Sequence, residues 1–242
     1  MSMEKREIDV CVVSRDGRLP TGLENIPTNQ LIVSTDIPVG VARVVCIQQV
    51  RTPIFAFIDD DMEIDEYWFD ILASVIWRED VGAVWGTTTG KGYGWFSKYS
   101  YDSIGVKELK PGERFNTNNC LIKTELVKDW VPSYGTNCYE DLDLGNHLMK
   151  KGYKVLFIPC TAIHFKGWKE LRRSASWAGY RFTEGYPEVN KFREIVRRLI
   201  APFKVLLLRG VPASIYAFYR NFWFLIGMIK WSLEAMVKNE NE

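Results

Sequence analysis

The chain has 242 residues, enough for one large α/β domain or a domain with an appendage. Apolar residues make up 47% of it and aromatics 14%, which supports a sizeable core and excludes global disorder. The formal charge of +1 argues against a dedicated nucleic-acid binder.

The first elements alternate. IDVCVVS (8–14) is a continuous apolar run ending in polar residues and predicts a buried strand. QLIVSTD (30–36) predicts a second. PVGVARVVCIQQV (38–50) predicts a helix with Pro38 in its first turn. IFAFI (54–58) predicts a third strand. DEYWFDILASVIW (65–77) has helical spacing, with Trp68, Ile71, Leu72, Val75 and Ile76 on one side. GAVWGTTT (82–89) predicts a fourth strand. This alternation predicts an α/β fold with a mostly parallel sheet flanked by helices. Such sheets bind ligands beyond the carboxyl ends of their strands, where Ser14, Asp36 and Asp59 stand.

Residues 90–118 break the pattern, and GKGYGWFSKYSYDSIG predicts a mobile Gly- and aromatic-rich loop. Gly90, Gly92 and Gly94 are not a dinucleotide fingerprint, because no helix follows in register. CLIKTELV predicts a strand turning into a helix. EDLDLGNHLMKKG (140–152) predicts a helix with acids in its first turn and Gly152 as its stop. KVLFIP (154–159) and TAIHF (161–165) predict two more short strands.

The C-terminal part is different. Residues 191–230 hold eight Lys/Arg against one acid, Glu194, a net +7 that leaves −6 for the rest. The longest uncharged stretch from 221 onward, 221–229, is far short of the roughly 20 residues a spanning helix needs. Residues 191–231 therefore predict helices lying in a membrane interface, apolar face down and cations toward lipid phosphates. The competing expectation is that these helices pack on the domain or make a homo-oligomer with a second subunit. Five scattered cysteines (Cys11, Cys46, Cys120, Cys138, Cys160), with no CxxC, predict reduced, buried thiols. The N-terminus MSMEKREIDVCVV lacks a signal-peptide core. Together these predict a cytoplasmic protein held peripherally on the cytoplasmic membrane face.

FIDDDMEID (57–65) carries the chemistry. Three adjacent carboxylates repel one another unless a cation sits among them. Asp59 and Asp61, two apart at a strand end, can both reach one Mn2+ or Mg2+ ion. A calcium loop fits poorly, because Ile64 stands where the sixth-position glycine belongs. A haloacid-dehalogenase-type phosphatase also places Asp-x-Asp after an apolar strand, but Glu63 departs from its pattern. A solvated acidic helix start explains Asp65 and Glu66, not Asp59. A nucleotidyltransferase would want a Gly-rich loop that SRDGRLPTG barely supplies.

VARVVCIQQVRTPIFAFIDDDMEIDEYWFDIL resembles the nucleotide-sugar half of a family 2 glycosyltransferase of the GT-A fold. NTNNCLIKTELV followed by YEDLDLGNHLMKKGYKVLFIP is similar to that family's acceptor half. The resemblance covers roughly residues 8–166. It implies a GT-A catalytic domain over 1–166, with a nucleotide-sugar part at about 1–89 and an acceptor part at 90–166. Residues 167–242 are then a helical, basic and aromatic appendage. It further implies that Ser14, Asp16 and Asp36 hold nucleobase and ribose and that Arg43 contacts the nucleotide. Asp59 and Asp61, with Asp60 between, would bind metal and the donor's diphosphate. Asp141, with Glu140 beside it, would be the catalytic base, and His164 a further metal ligand. Two departures stand out: His147 occupies the position of the family's Arg, and only residues 15–29 separate the first two strands. The implied activity is metal-dependent, inverting transfer of a sugar from a nucleoside-diphosphate donor to a glycan or polyprenyl-linked acceptor. The competing reading is a non-catalytic, membrane-docked subunit that keeps the fold.

Overall fold

The computed structural model describes residues 7–90, 106–132 apart from 112 and 114, 140–164, 167–185 and 190–239. The predicted loop at 91–105 and Cys138 lie outside these residues. The described chain divides into two compact units.

The first unit is a sheet with three helices. Its strands are β1 (Ile8–Val13), β2 (Thr28–Ser34), β3 (Ile54–Asp59), β4 (Met62–Ile64), β5 (Val81–Gly90), β6 (Lys107–Glu108), β7 (Asn119–Lys123) and β8 (Lys154–His164). Its helices are α1 (Val39–Gln49), α2 (Trp68–Ile76) and α3 (Glu140–Lys150). The strand order is β2-β1-β3-β7-β5-β8-β4, with β6 also on β8.

The sheet is mixed, which corrects the mostly parallel expectation. β1 pairs in parallel with both β2 and β3. β7 then inserts between β3 and β5, antiparallel to each. β4 and β6 pair antiparallel with β8. An apolar run marks a strand but carries no direction, because direction is set by which partner takes its hydrogen bonds. Three smaller differences have similar causes. Residues 154–164 form one strand that runs through Pro159 rather than two. The helix predicted after β7 is only a 3-10 turn at Thr124–Leu126. The short strands β4 and β6 carry too few residues to show a period.

Alternation along the strands builds the core on both faces. Val10, Ala56 and Leu121 are neighbours across β1, β3 and β7 and pack with Trp68, Leu72 and Ile76 of α2. Cys11, Phe57 and Cys120 are the adjacent row and face the other way, against Cys46 and Ile47 of α1 and Leu144 and Leu148 of α3. Burial on both faces is why these strands read as unbroken apolar runs. Cys11, Cys46, Cys120 and Cys160 are buried free thiols. Burial pushes the Cys160 thiol up to about 12, so it stays protonated and unreactive.

The second unit is α4 (Trp168–Gly185), α5 (Lys191–Arg209) and α6 (Val211–Asn239). Asn190 caps α5, its side chain accepting from the Arg193 N–H. Gly210, at φ +83°, turns the chain from α5 into α6. Pro202 inside α5 has no N–H to give the Arg198 carbonyl, and Asn221 of α6 supplies that bond from Nδ2 at 3.0 Å. α4 meets α6 closely, with Gly179 against the Phe224 carbonyl and Gly227 against the Ser176 carbonyl. Among the described residues, no helix is long and apolar enough to cross a membrane.

Candidate active and metal site

The parallel pairing of β1, β2 and β3 brings their carboxyl ends to one edge. Val13 lies opposite Asp59, so Ser14 follows beside the aspartate run. Ser14 is buried, and its hydroxyl donates to Asp16 Oδ1 at 3.1 Å. The Arg18 N–H also donates to Asp16, and these bonds hold its exposed carboxyl below the usual range. Asp36 sits beyond the outer strand β2, accepting from the Ser34 hydroxyl at 2.6 Å.

Asp59 ends β3, and its N–H donates to the Asn118 carbonyl at 3.1 Å. The chain turns through Asp60 and Asp61 into β4, where Met62 pairs with His164 at the end of β8. That register sets Asp61 against His164, which lies about a hundred residues away in sequence. One ligand atom each from Asp59, Asp61 and His164 lie within 4.8 Å of one another. His164 is buried, whereas both carboxylates remain partly exposed.

His164 Nε2 is 2.7 Å from Asp61 Oδ1. Yet among the described residues neither His164 ring nitrogen makes a hydrogen bond, so the short approach to Asp61 lacks hydrogen-bond alignment. A buried polar atom without a partner is costly, and a cation shared with Asp59 and Asp61 would satisfy one ring nitrogen. Two carboxylates and one imidazole could hold a divalent ion. Burial pushes the Asp60 carboxyl up; the Ser14 hydroxyl opposes this, and the Asp61, Asp59 and Asp16 charges push it further. Burial is the larger cause, and the neighbouring carboxylates add to it.

Arg43 of α1 is buried. Its Nη1 pairs with Glu140 Oε1, and its Nη2 is 3.6 Å from Asp59 Oδ1. Burial pushes the guanidinium down, but Glu140, Asp59 and Asp141 outweigh it and hold the charge firmly. The Phe57 ring lies 5.9 Å below. Arg43 thus ties the end of β3 to the start of α3. Asp141, also buried, follows Glu140 there and accepts from the Leu142 N–H at 2.8 Å. Asp143 is held by the Trp130 indole N–H at 3.0 Å. His147 lies 3.1 Å from the Leu126 carbonyl and 3.3 Å from Asp129, so it fastens the turn after β7.

One supporting network escaped sequence reasoning. Buried Asn119 accepts at Oδ1 from the Gly86 N–H (2.8 Å) and the Trp68 indole (3.3 Å), and donates from Nδ2 to Thr88 at 2.9 Å. A side chain at Gly86 would collide with Asn119. The signal available was the doubled Asn in NTNNC entering an apolar run. No family model and no curated protein matches the chain.

Proposed function

We propose that the chain is a metal-dependent inverting glycosyltransferase moving a sugar from a nucleoside-diphosphate donor to an acceptor hydroxyl. The observation that carries this reading is the convergence of Asp59 and Asp61 on a buried His164 whose ring nitrogens make no aligned hydrogen bond among the described residues. A divalent cation held there would neutralise the charge that develops on the departing diphosphate. Asp141 takes the acceptor hydroxyl's proton as that oxygen attacks the anomeric carbon. The bond from that carbon to the diphosphate oxygen breaks on the opposite face, and the nucleoside diphosphate leaves with the electron pair. Arg43 holds Asp59 and Glu140 in fixed relation, keeping metal edge and base helix in register. Ser14, Asp16 and Asp36, at the neighbouring strand ends, take the nucleoside.

Thermal unfolding with UDP, GDP, dTDP or CDP, each with Mn2+ or with EDTA, tests the reading. One nucleotide should stabilise the chain only with metal, by about 2.7 kcal/mol at a hundred times its dissociation constant. Asp61→Asn and His164→Asn should each remove that shift, whereas Asp141→Asn should keep it and lose turnover. If no nucleotide stabilises the chain in the presence of Mn2+, the assignment fails.

A further inference from the structure

The turn between α5 and α6 presents an unusual surface. Leu207 and Leu208 are 87% and 71% exposed, and Val211 across Gly210 is 59% exposed. The exposed apolar surface continues along α5 through Phe192, Leu199, Ile200 and Phe203, whose spacing places them on one stripe of the helix. On α6 it continues through Ile215, Phe218, Phe222 and Ile229, again one stripe. Water alone is a poor environment for so continuous an apolar surface.

Charge identifies the occupant. Arg193, Arg197 and Lys204 lie along one border of the α5 stripe and are exposed. The one acid of α5, Glu194, faces inward and is taken up by Arg197 and Arg198. The face therefore offers apolar side chains flanked by cations with no exposed acid on α5. The α5 of a second copy would offer no exposed acid to meet these cations. None of the described helices is both long and apolar enough to span a membrane. We propose that the α5–α6 hairpin docks on an anionic lipid surface. The leucines at its tip and the phenylalanines of its stripes enter the acyl boundary, and Arg193 and Lys204 meet lipid phosphates. This inference is independent of the glycosyltransferase reading, since neither the metal trio nor Asp141 enters it. If both hold, the surface brings the chain to lipid-linked acceptors.

Co-sedimentation of the full chain with phosphatidylcholine vesicles, with and without phosphatidylglycerol, is the test. Binding should need the anionic lipid and weaken with salt. Leu207→Glu/Leu208→Glu should cut partitioning by roughly a hundredfold, the transfer contribution of two large apolar side chains. Both side chains are exposed, so circular dichroism and the melting temperature should not change. Arg193→Gln/Lys204→Gln should cut binding by about fivefold per charge and flatten its salt dependence. Indifference of the wild-type chain to anionic vesicles would overturn the proposal. So would a double-leucine variant that still binds them but no longer self-associates in sedimentation velocity. Nucleotide stabilisation, read separately, distinguishes this failure from failure of the donor site.

Discussion

Arg43 and Asp9 show how single side chains set this fold. Arg43 is a buried cation whose value lies in its partners. Arg43→Met should leave Glu140 buried and unpaired and cost about 3–5 kcal/mol in urea unfolding. Arg43→Met/Glu140→Leu should recover most of that loss, because replacing both partners removes the stranded charge. Little change in the single variant would mean the guanidinium is free for a ligand instead. Asp9 is buried at the start of β1, where it accepts from the Arg51 and Thr52 N–H groups and from Asn29. Burial pushes its carboxyl up, but these bonds outweigh it and hold it below the usual range. A depressed native value means stability is fully present above about pH 4 and is lost as pH falls through the lower native value. Asp9→Asn should therefore cost about 1–3 kcal/mol at neutral pH, with the difference from wild type shrinking below pH 4. A constant difference across pH would sink this account.

At the scale of elements, the α4–α6 crossing is the sharpest case. Glycine is a poor helix former, so Gly→Ala at an open helical site should stabilise by up to ~1 kcal/mol. Gly179 and Gly227 are instead where one helix touches the other's backbone carbonyls. A methyl group at either position must push the helices apart. Gly179→Ala and Gly227→Ala should each destabilise by roughly 1–3 kcal/mol in thermal melts followed by circular dichroism, against their helix propensity. A gain in stability from either would show that the helices can separate freely there. The same logic applies inside α5, where the bond from Asn221 replaces what Pro202 removes.

For the molecule as a whole, the double-faced burial of β1, β3 and β7 identifies the most stable part. Native-state hydrogen exchange should find the amides of Val10, Ala56 and Leu121 among the last to exchange. The edge strand β2, with Leu31 and Val33 exposed, should open earlier. Simultaneous exchange of β2 and β7 would show that the sheet opens only as one unit.

Apolar runs and their punctuation were enough to locate β1, β2, β3, β5, α1, α2 and α3 to within a few residues, because burial and helix periodicity are local properties of the chain. They also singled out Asp59 and Asp61, since adjacent carboxylates behind a buried strand are anomalous in any fold. Strand direction was not local: β7 enters between β3 and β5 against their sense, and only the hydrogen-bond pairing decides that. The meeting of His164 with Asp61 follows from the Met62–His164 register, and the pairing of Arg43 with Glu140 from packing α1 and α3 on the same face. Residues so far apart in sequence become neighbours only when the sheet has closed, so tertiary structure alone could join the edge carrying Asp59, Asp61 and His164 to the helix that carries Asp141.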